Sequence, residues 1–426
     1  MAKHVPLPEK YPLPPNWTWF EMGKLVHMKS GFPFNSKRFS TERDGRRPLI
    51  RIRDVLRGET ATYTDEACPE EYIVHAGEII IGMDGDFNVA KWNSADALLN
   101  QRVCWIEANR AVLLHDFLFY YLPIPLRIIN GATPSMTVKH LSTKTLSATP
   151  FPLPPLAEQR RIVERIESLF SKLDAARENA QSVLDGFETR KAAILRRAFS
   201  GELTANWRAE HGHSKEQWTT RALRDCGAWS GGGTPSMKHP EYWQAGDILW
   251  ITPKDMKANL IEDSIMRINM EGVGNSSANY IEKHSVLFVM RSGILRHTLP
   301  IAMVEQPFTV NQDLKALSPS DIDLHYLFWA CKCREKDILE NCAKNGTTVE
   351  SMNSKALMGY ELPIAPAEEQ AVIVRYVESM MEQEQEAKAA AERVLTSVGL
   401  MKEAILARAF RGLLGTNDPA EPCAEI

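Results

Sequence analysis

The feature of the sequence that most constrains its fold is an internal repeat. The segment PLPPLAEQRRIVERIESLF begins at Pro152, and a similar segment, LPIAPAEEQAVIVRYVESM, begins at Leu362. When the two are superposed, identical residues lie 211 positions apart, as Pro152 does from Pro363. The same offset superposes KAAILRRAFSGEL, from Lys191, on KEAILARAFRGLL, from Lys402. Because no insertion interrupts this register, the pattern indicates a duplicated structural unit.

Each copy of the repeat continues into a long helical pattern, in which apolar or small residues recur at alternating spacings of four and three. In the first copy these residues are Ile162, Ile166, Leu169, Leu173, Ala176, Ala180, Val183 and Phe187. In the second copy they are Ile373, Val377, Met380, Glu384, Ala387, Ala391, Val394 and Val398. This stripe favours an antiparallel coiled coil over two amphipathic helices that each pack on their own domain. Glu384 departs from it and either sets the register or is exposed where the helices separate.

Two stretches of similar size flank the first helix and are predicted to be domains. The predicted division is 1–156, first domain; 157–216, first helix and linker; 217–361, second domain; 362–426, second helix. Short apolar runs, such as those in YIVHAGEIIIGM and SVLFVMRSG, predict strands in both domains. Because Asn100-Gln101 and Asn311-Gln312 also lie 211 positions apart, we expect the domains to share a fold while differing in surface chemistry.

The composition is that of a soluble globular protein. The chain has 426 residues, of which 44% are hydrophobic and 24% charged, with a net charge of −4. No apolar run reaches the roughly 18–20 residues that cross a bilayer, and the N-terminus lacks the apolar core of a signal peptide. The seven cysteines show no framework spacing. We therefore expect a cytoplasmic protein without membrane attachment.

Familiar catalytic motifs are missing from the sequence. It contains no phosphate-binding loop, His-Glu-x-x-His pair, Gly-x-Ser-x-Gly elbow, glycine-rich cofactor loop or amino-methyltransferase motif. Cys331, Cys333 and Cys342 lack common zinc spacing and are interpreted as structural thiols, with LHYLFWACKC predicted to form a buried helix. The sequence therefore favours a non-enzymatic role that binds no metal.

A cluster of basic residues in the first domain makes nucleic-acid binding a candidate function. Its members are Lys37, Arg38, Arg43, Arg46, Arg47, Arg51, Arg53 and Arg57. Arg51 and Arg53 alternate with isoleucines and are predicted to share one face of a strand. On charge alone, DNA contact and an ordinary solvated surface explain the cluster equally well. The loops GMDGDF (82–87) and MRSGIL (290–295) follow matching strands with different chemistry, which suggests two surfaces for different targets.

The order variable domain, PLPPLAEQRRIVERIESLF, variable domain, LPIAPAEEQAVIVRYVES resembles the specificity subunit of type I restriction–modification systems. SGFPFNSKRF…RPLIRIRDV and SGGGTPSMKHPEYWQAGDILWITPKDM are similar to the opening segments of that family's target recognition domains. The resemblance covers essentially the whole chain. It implies an α+β fold with a pseudo-two-fold internal repeat. Two α/β target recognition domains would be separated by two long helices that form an antiparallel coiled-coil spacer.

The resemblance also implies a non-catalytic, sequence-specific DNA-binding subunit. Each recognition domain would read one half of a bipartite double-stranded target. The implied partners are two modification subunits, which carry S-adenosylmethionine and methylate adenine, and restriction subunits, which use ATP and Mg²⁺. No cofactor is therefore expected in this chain. The alternatives are a coiled-coil scaffold that does not bind DNA and a specificity subunit of a related modification-only system.

Local chemistry, rather than the family pattern, provides the candidate contact residues. The predicted DNA-binding residues are Lys37, Arg38, Arg51, Arg53 and Asn88 in the first domain, and Thr234, Lys238, Lys254, Arg291, Ser292 and Arg296 in the second. The turns at 131–139 and 346–351 are further candidates for phosphate contact. Partner contacts are predicted on the repeated helices and their ends, near Glu158, Gln159, Glu369 and Gln370.

Overall fold

The computed structural model of the chain consists of two compact units. It describes residues 8–133, 139–282, 284–344 and 350–423. Unit 1 comprises Met1–Gln181 and Glu392–Ile426, and unit 2 comprises Ser182–Ala391. The chain has two long helices, the first at Leu156–Phe199 and the second at Ala367–Ala409. One part of each helix belongs to unit 1 and the other part to unit 2. Among the described residues, no helix combines the length and the apolar character that crossing a bilayer requires.

Unit 1 is built on a four-stranded antiparallel sheet. In spatial order its strands are Val26–Ser30, Val103–Ala108, Ile79–Gly82 and Val89–Lys91. A second sheet contains, in spatial order, Phe39–Ser40, Tyr63–Thr64, Arg47–Ile50, Ala97–Leu99 and Ile73–Val74. A ribbon pairs Thr18–Glu21 with Pro150–Leu153. The shorter helices are His115–Tyr121, Pro123–Ala132 and Thr143–Ser147.

Unit 2 repeats this architecture. Its four-stranded antiparallel sheet has the order Gly227–Gly231, Leu314–Pro319, Ser285–Val289 and Ile301–Val304. Its second sheet has the order Met266–Ile268, Ile248–Ile251 and Phe308–Val310. Two ribbons pair Thr219–Ala222 with Glu361–Ile364, and Ala343–Lys344 with Ser351–Met352. The shorter helices are Ala205–His211, Met270–Gly274, Leu324–Cys333, Glu335–Cys342 and Ser354–Gly359.

The two domains share a fold, as the sequence predicts. In both four-stranded sheets the last strand along the chain lies between the first and the second. In both second sheets one pair is parallel: Arg47–Ile50 with Ala97–Leu99, and Ile248–Ile251 with Phe308–Val310. Equivalent positions can therefore be compared between the units strand by strand.

Burial on both faces explains why the central strands are continuous apolar runs. In Ile79–Gly82, Ile79 and Ile81 belong to the core that contacts the helices of unit 1. Ile80, which points to the opposite face of the strand, belongs to a separate core with Ile50 and Leu99 of the second sheet. A strand between two cores has no solvent face, so the alternation with polar residues disappears.

The long helices run antiparallel to each other within each unit. In unit 2 the guanidinium of Arg190 contacts both carboxylate oxygens of Glu384, at 2.9 and 3.0 Å, and the ammonium of Lys388 lies 4.9 Å from the ring centre of Phe187. In unit 1 Lys402 Nζ donates to Asp174 Oδ1 at 2.5 Å. The predicted coiled-coil pairing is confirmed. Glu384, which interrupts the apolar stripe, forms an ion pair between the helices.

The same helices also pack on the domains. Phe199 and Phe410, 211 positions apart, are each buried in their own unit. The ring centre of Phe410 lies 4.9 Å from that of Phe117, and Phe199 lies 5.3 Å from Tyr326. Gly201 and Gly412 then adopt positive φ angles of 82° and 71°, which only glycine tolerates readily. The chain therefore turns away from the helix direction at these two glycines, and each long helix both pairs with the other helix and packs on a domain.

The Glu-Gln pair at the start of the first long helix is buried. The Gln159 amide accepts from Leu114 N at 2.7 Å and donates to the carbonyls of Val112 and Pro154 at 2.9 Å. Glu158 accepts hydrogen bonds from three groups of unit 1: the Arg161 guanidinium, Thr416 Oγ1 and Asn417 N. Burial alone raises the pKa of Glu158, but these bonds outweigh it and hold the pKa below its ordinary value.

The equivalent pair in unit 2 has equivalent partners. Gln370 accepts from Asp323 N at 2.9 Å and donates to Ala365 O at 2.8 Å. The Glu369 carboxylate accepts hydrogen bonds from Thr204 Oγ1, Arg208 Nη1 and Trp218 Nε1. Both side chains are almost completely buried.

These positions correct the prediction that Glu158, Gln159, Glu369 and Gln370 face a partner. Their side chains lie in the interior of their own units, and their polar groups are engaged by neighbouring backbone and side-chain groups. A buried polar group must be paired inside the fold, because water cannot reach it. The motif therefore fixes the start of each helix to its domain.

We predict that Glu369→Ala destabilises unit 2 by about 3–5 kcal/mol, because it leaves Arg208 buried without its counter-ion. The measurement is the urea unfolding midpoint of the purified chain. Glu202→Ala is the matched control, since the Arg197–Glu202 pair is more than half exposed and should contribute about 1 kcal/mol or less. Equal effects of the two substitutions would contradict the prediction.

A histidine joins the domain of unit 2 to the second long helix. His325 Nδ1 lies 2.6 Å from Glu378 Oε1, and Nε2 lies 2.7 Å from Glu305 Oε1. Burial lowers the pKa of His325, but the hydrogen bonds to these two carboxylates outweigh it, so the pKa lies above the ordinary 6.5. The protonated form is thus the one that the fold favours.

We predict that His325 stabilises unit 2 in a pH-dependent manner. Because its folded pKa is raised, the stabilisation is fully present below about pH 6.5 and is lost as the pH rises through the folded value. The measurement is the difference in urea midpoint between the wild-type chain and His325→Gln from pH 5.5 to 9. A difference that grows with rising pH would contradict the assignment.

Candidate nucleic-acid interface

In unit 2 three loops that follow strands enclose an open cavity of about 480 Å³. They are the turn after Ile248–Ile251, the loop after Ser285–Val289 and the loop after Phe308–Val310. The lining residues include Trp250, Thr252, Lys254, Asp255, Ile265, Arg291, Ser292, Asn311 and Asp313. Three of the six DNA-binding residues predicted for this domain, Lys254, Arg291 and Ser292, therefore lie together.

A partly buried hydrogen-bond network shapes the turn that carries Lys254. Asp255 Oδ2 accepts from the backbone N and the hydroxyl of Thr252 at 2.8 and 2.7 Å. The other oxygen, Oδ1, accepts from Ile265 N at 2.8 Å. One carboxylate thus fixes two lining segments, and Lys254 is left at the apex of the turn with its side chain exposed.

The cavity presents cations and apolar groups side by side. Lys254 and Arg291 are exposed, and neither side chain forms a hydrogen bond or an ion pair with any residue that the structure describes. The side chain of Ile265 is also exposed, whereas that of Trp250 is buried. Unpaired cations attract phosphates, arginine can bind guanine in bidentate fashion, and apolar groups can contact thymine methyls. The chemistry of this surface therefore suits contact with phosphates and with base edges.

The other predicted residues of this domain have different surroundings. Thr234 donates its hydroxyl to Gln312, next to the cavity residues Asn311 and Asp313. Arg296 is paired with Glu350, with 3.2 Å between Nε and Oε1. Lys238 is exposed in the turn after the glycine segment. Thr234 therefore adjoins the cavity, while Arg296 has an acidic neighbour that reduces its attraction for phosphate.

In unit 1 the prediction that Arg51 and Arg53 share a strand face is wrong. The strand ends at Ile50, and a 3₁₀ turn follows from Ile52 to Asp54. Asp54 accepts from Arg51 N at 2.9 Å and from Thr60 Oγ1 at 3.0 Å, as Asp255 does for Thr252 and its neighbours in unit 2. Arg53 thus occupies the same apical position as Lys254, and its guanidinium donates to Thr62 Oγ1 at 3.2 Å.

The remaining candidates of unit 1 are dispersed. Arg38 forms a surface ion pair with Asp65 at 2.8 Å, and Lys37 lies beside it in the turn Ser36–Arg38. Asn88 lines a separate hollow with Leu56 and Arg127. Of the phosphate-binding turns predicted at 131–139 and 346–351, residues 134–138 and 346–349 lie outside the described residues.

The three cysteines that were considered as metal ligands, Cys331, Cys333 and Cys342, lie in unit 2. LHYLFWACKC forms the helix Leu324–Cys333, as predicted, and Cys331 and Cys342 are buried. Burial raises the pKa of the thiols of Cys331, Cys333 and Cys342 above the ordinary value. A raised pKa keeps a thiol protonated and unreactive.

Sequence reasoning missed the acidic and amide side chains of the cavity. Asn311 is buried, and its amide donates to Asp313 Oδ2 at 3.2 Å, which places the aspartate at the cavity wall. The alignment of Asn100-Gln101 with Asn311-Gln312 was the available signal, since the residue after each pair is charged. A search for basic clusters could not detect it.

The family model for the type I restriction modification DNA specificity domain matches this chain twice, at residues 14–183 and 215–393. Among curated proteins, the specificity subunit of the type I restriction enzyme EcoBI of Escherichia coli is 30% identical over 95% of this chain and 88% of its own length. The EcoR124I/EcoR124II specificity subunit, also from Escherichia coli, is 39% identical over 38% of this chain and 40% of its own length.

Two solved structures share the fold. The HsdS subunit from Thermoanaerobacter tengcongensis has a TM-score of 0.65 at 18% identity and covers 95% of this chain and 99% of its own. A chain of a second solved structure, which concerns complex assembly and conformational transition of the type I R-M system, has a TM-score of 0.70 at 19% identity. The match covers 95% of the present chain and 100% of that chain. At such identities the likeness concerns the fold alone.

Proposed function

Because the chain belongs to the family of type I restriction–modification DNA specificity subunits, we propose that its two domains read the two halves of one bipartite DNA target. One observation carries the proposal: the units present the same loops on the same strands, but with different side chains at equivalent positions. Arg53 and Lys254, for example, occupy the same apical position of the same turn. Two domains with the same fold but different side chains on these loops suit the recognition of two different DNA sequences.

The proposal assigns no chemistry to this chain. Methylation of adenine, with bound S-adenosylmethionine, belongs to two modification subunits, and ATP-driven translocation and cleavage with Mg²⁺ belong to restriction subunits. The internal repeat supports a pair of identical partners, because two similar structural units can offer two similar docking surfaces. These surfaces lie on the exposed faces of the helices, since the Glu-Gln pairs are buried.

The test is methylome sequencing of cells that express this chain with the modification subunits of its own system. The expected result is adenine methylation within one bipartite motif. The purified chain alone should not methylate DNA. Methylation by the chain without a partner subunit, or a single uninterrupted motif in the complex, would refute the proposal.

We predict that the half-sites are separable. When residues 217–360 are replaced by the equivalent domain of another specificity subunit, one half of the methylated motif should change and the other should remain. The physical reason is that each domain has its own core and its own loops. Methylome sequencing of the hybrid complex is the measurement, and a change in both halves would contradict the two-reader model.

We predict that Arg53→Ala and Lys254→Ala each weaken DNA binding by the assembled complex, at opposite half-sites. A lost base contact should cost about 1–3 kcal/mol and relax one base position, whereas a lost phosphate contact should reduce the salt slope by about one. Fluorescence anisotropy across a salt series separates these outcomes. Arg110→Ala and Arg267→Ala are the controls, since they remove cations that are already paired with Glu107 and Asp263. If both variants bound DNA with the same affinity as the controls, the residue at the apex of the turn would not be a DNA contact.

A further inference from the structure

Backbone hydrogen bonds establish which residues are equivalent beside the central strands. In unit 1 Met83 N donates to Arg102 O at 2.9 Å, and in unit 2 Met290 N donates to Asp313 O at 2.7 Å. The next residues, Asp84 and Arg291, form equivalent bridges, with His140 and Ser351 respectively. Asp84 therefore corresponds to Arg291, Arg102 to Asp313, and His140 to Ser351. These matches come from backbone geometry and do not depend on the side chains.

The side chains at these positions have opposite charges in the two units. Where unit 1 has a carboxylate, Asp84, unit 2 has a guanidinium, Arg291. Where unit 1 has a guanidinium, Arg102, unit 2 has a carboxylate, Asp313. The backbone hydrogen bonds at these positions are thus the same in both units, whereas the positive and negative side chains are exchanged.

The two inverted pairs also differ in how they are held. In unit 1 the Asp84 carboxylate is 19% exposed, with Arg102 Nη1 at 3.2 Å and His140 Nδ1 at 2.7 Å. In unit 2 Arg291 is exposed at the cavity, and its guanidinium has no side-chain partner among the described residues. One position is therefore a fixed hydrogen-bond acceptor, and the other is an available hydrogen-bond donor.

A phosphate contact cannot be the shared role of this position. Phosphates carry the negative charge of DNA, so a carboxylate placed against them would be repelled. The edges of bases differ from phosphates because they present both donors and acceptors. Arginine pairs with the O6 and N7 acceptors of guanine, and aspartate accepts from the amino group of cytosine.

We propose that Asp84 and Arg291 are base-reading residues at equivalent positions of the two domains, with opposite hydrogen-bond polarity. Arg291 binds the acceptor edge of a guanine in one half-site. Asp84 accepts from the exocyclic amino group of a cytosine or an adenine in the other. Arg102 and His140 are positioning residues that orient the Asp84 carboxylate. The assignment rests on the proposed function.

The test compares variants of this chain in the assembled modification complex on DNA with randomised half-sites. Arg291→Ala should relax one position of one half-site from guanine to several bases, with discrimination reduced about 5- to 150-fold. Arg291→Lys, which keeps the charge but not the planar fork, should relax the same position partially. Asp84→Asn should alter one position of the opposite half-site, because an amide donates as well as accepts.

Two controls and a stability check complete the design. Asp96→Asn makes the same change at another carboxylate of unit 1 that a histidine contacts, with 2.9 Å between Asp96 Oδ1 and His75 Nδ1, and Arg267→Ala removes a partly exposed arginine of unit 2. Both should leave the motif unchanged. The urea midpoint of each variant shows whether it is folded, and for Arg291 the expected shift is small because the side chain is exposed.

The outcomes separate the inference from the function on which it depends. If the wild-type complex methylates no bipartite motif, the proposed function itself fails. If it does, and the motif of folded Arg291 and Asp84 variants is unchanged, the base-reading assignment is wrong. A uniform loss of affinity with a smaller salt slope in Arg291→Ala would identify a phosphate contact and would also overturn it.

Discussion

A buried carboxylate near the start of each long helix binds the segment that follows the other long helix. In unit 1 Glu158 binds Thr416 and Asn417, which come after the second long helix. In unit 2 Glu369 binds Thr204 and Arg208, which come after the first. A buried charge is costly unless it is fully paired, so shifting either helix along its partner would leave a carboxylate unsatisfied. The register of the helix pair, and with it the docking of each domain, follows from this constraint.

The backbone structure shared by the two domains explains which residues can differ between them. Asp54 and Asp255 both organise the turn after the second-sheet strand, and both act through backbone or hydroxyl groups. The side chain at the apex of that turn is exposed and differs, Arg53 in one unit and Lys254 in the other. The aspartates are therefore common to both units because the backbone of the turn depends on them, whereas the exposed apical side chains differ because it does not.

The sequence predicts the repeat, the long helices and the central strands, because each leaves a periodic or compositional pattern. It does not predict burial of a polar pair. Glu158-Gln159 follows prolines at a helix start, and nothing in its spacing shows that Leu114 N and Val112 O will surround the amide. Arg51 and Arg53 continue an alternating pattern, but Asp54 captures Arg51 N and ends the strand. In the first case the deciding partners are backbone groups distant in the chain, and in the second a neighbouring carboxylate competes with the strand for a backbone N–H. Residue spacing shows neither.

The two domains should also differ in how easily their target can change. Arg291 is exposed and has no side-chain partner among the described residues, so replacing it perturbs little of the fold. The side chain of Asp84 is only 19% exposed, and Arg102 and His140 hold it in place. An arginine at position 84 would place like charges together, which favours a simultaneous change at position 102. Reversing the hydrogen-bond polarity of unit 1 therefore requires coupled substitutions, whereas unit 2 can vary at a single residue.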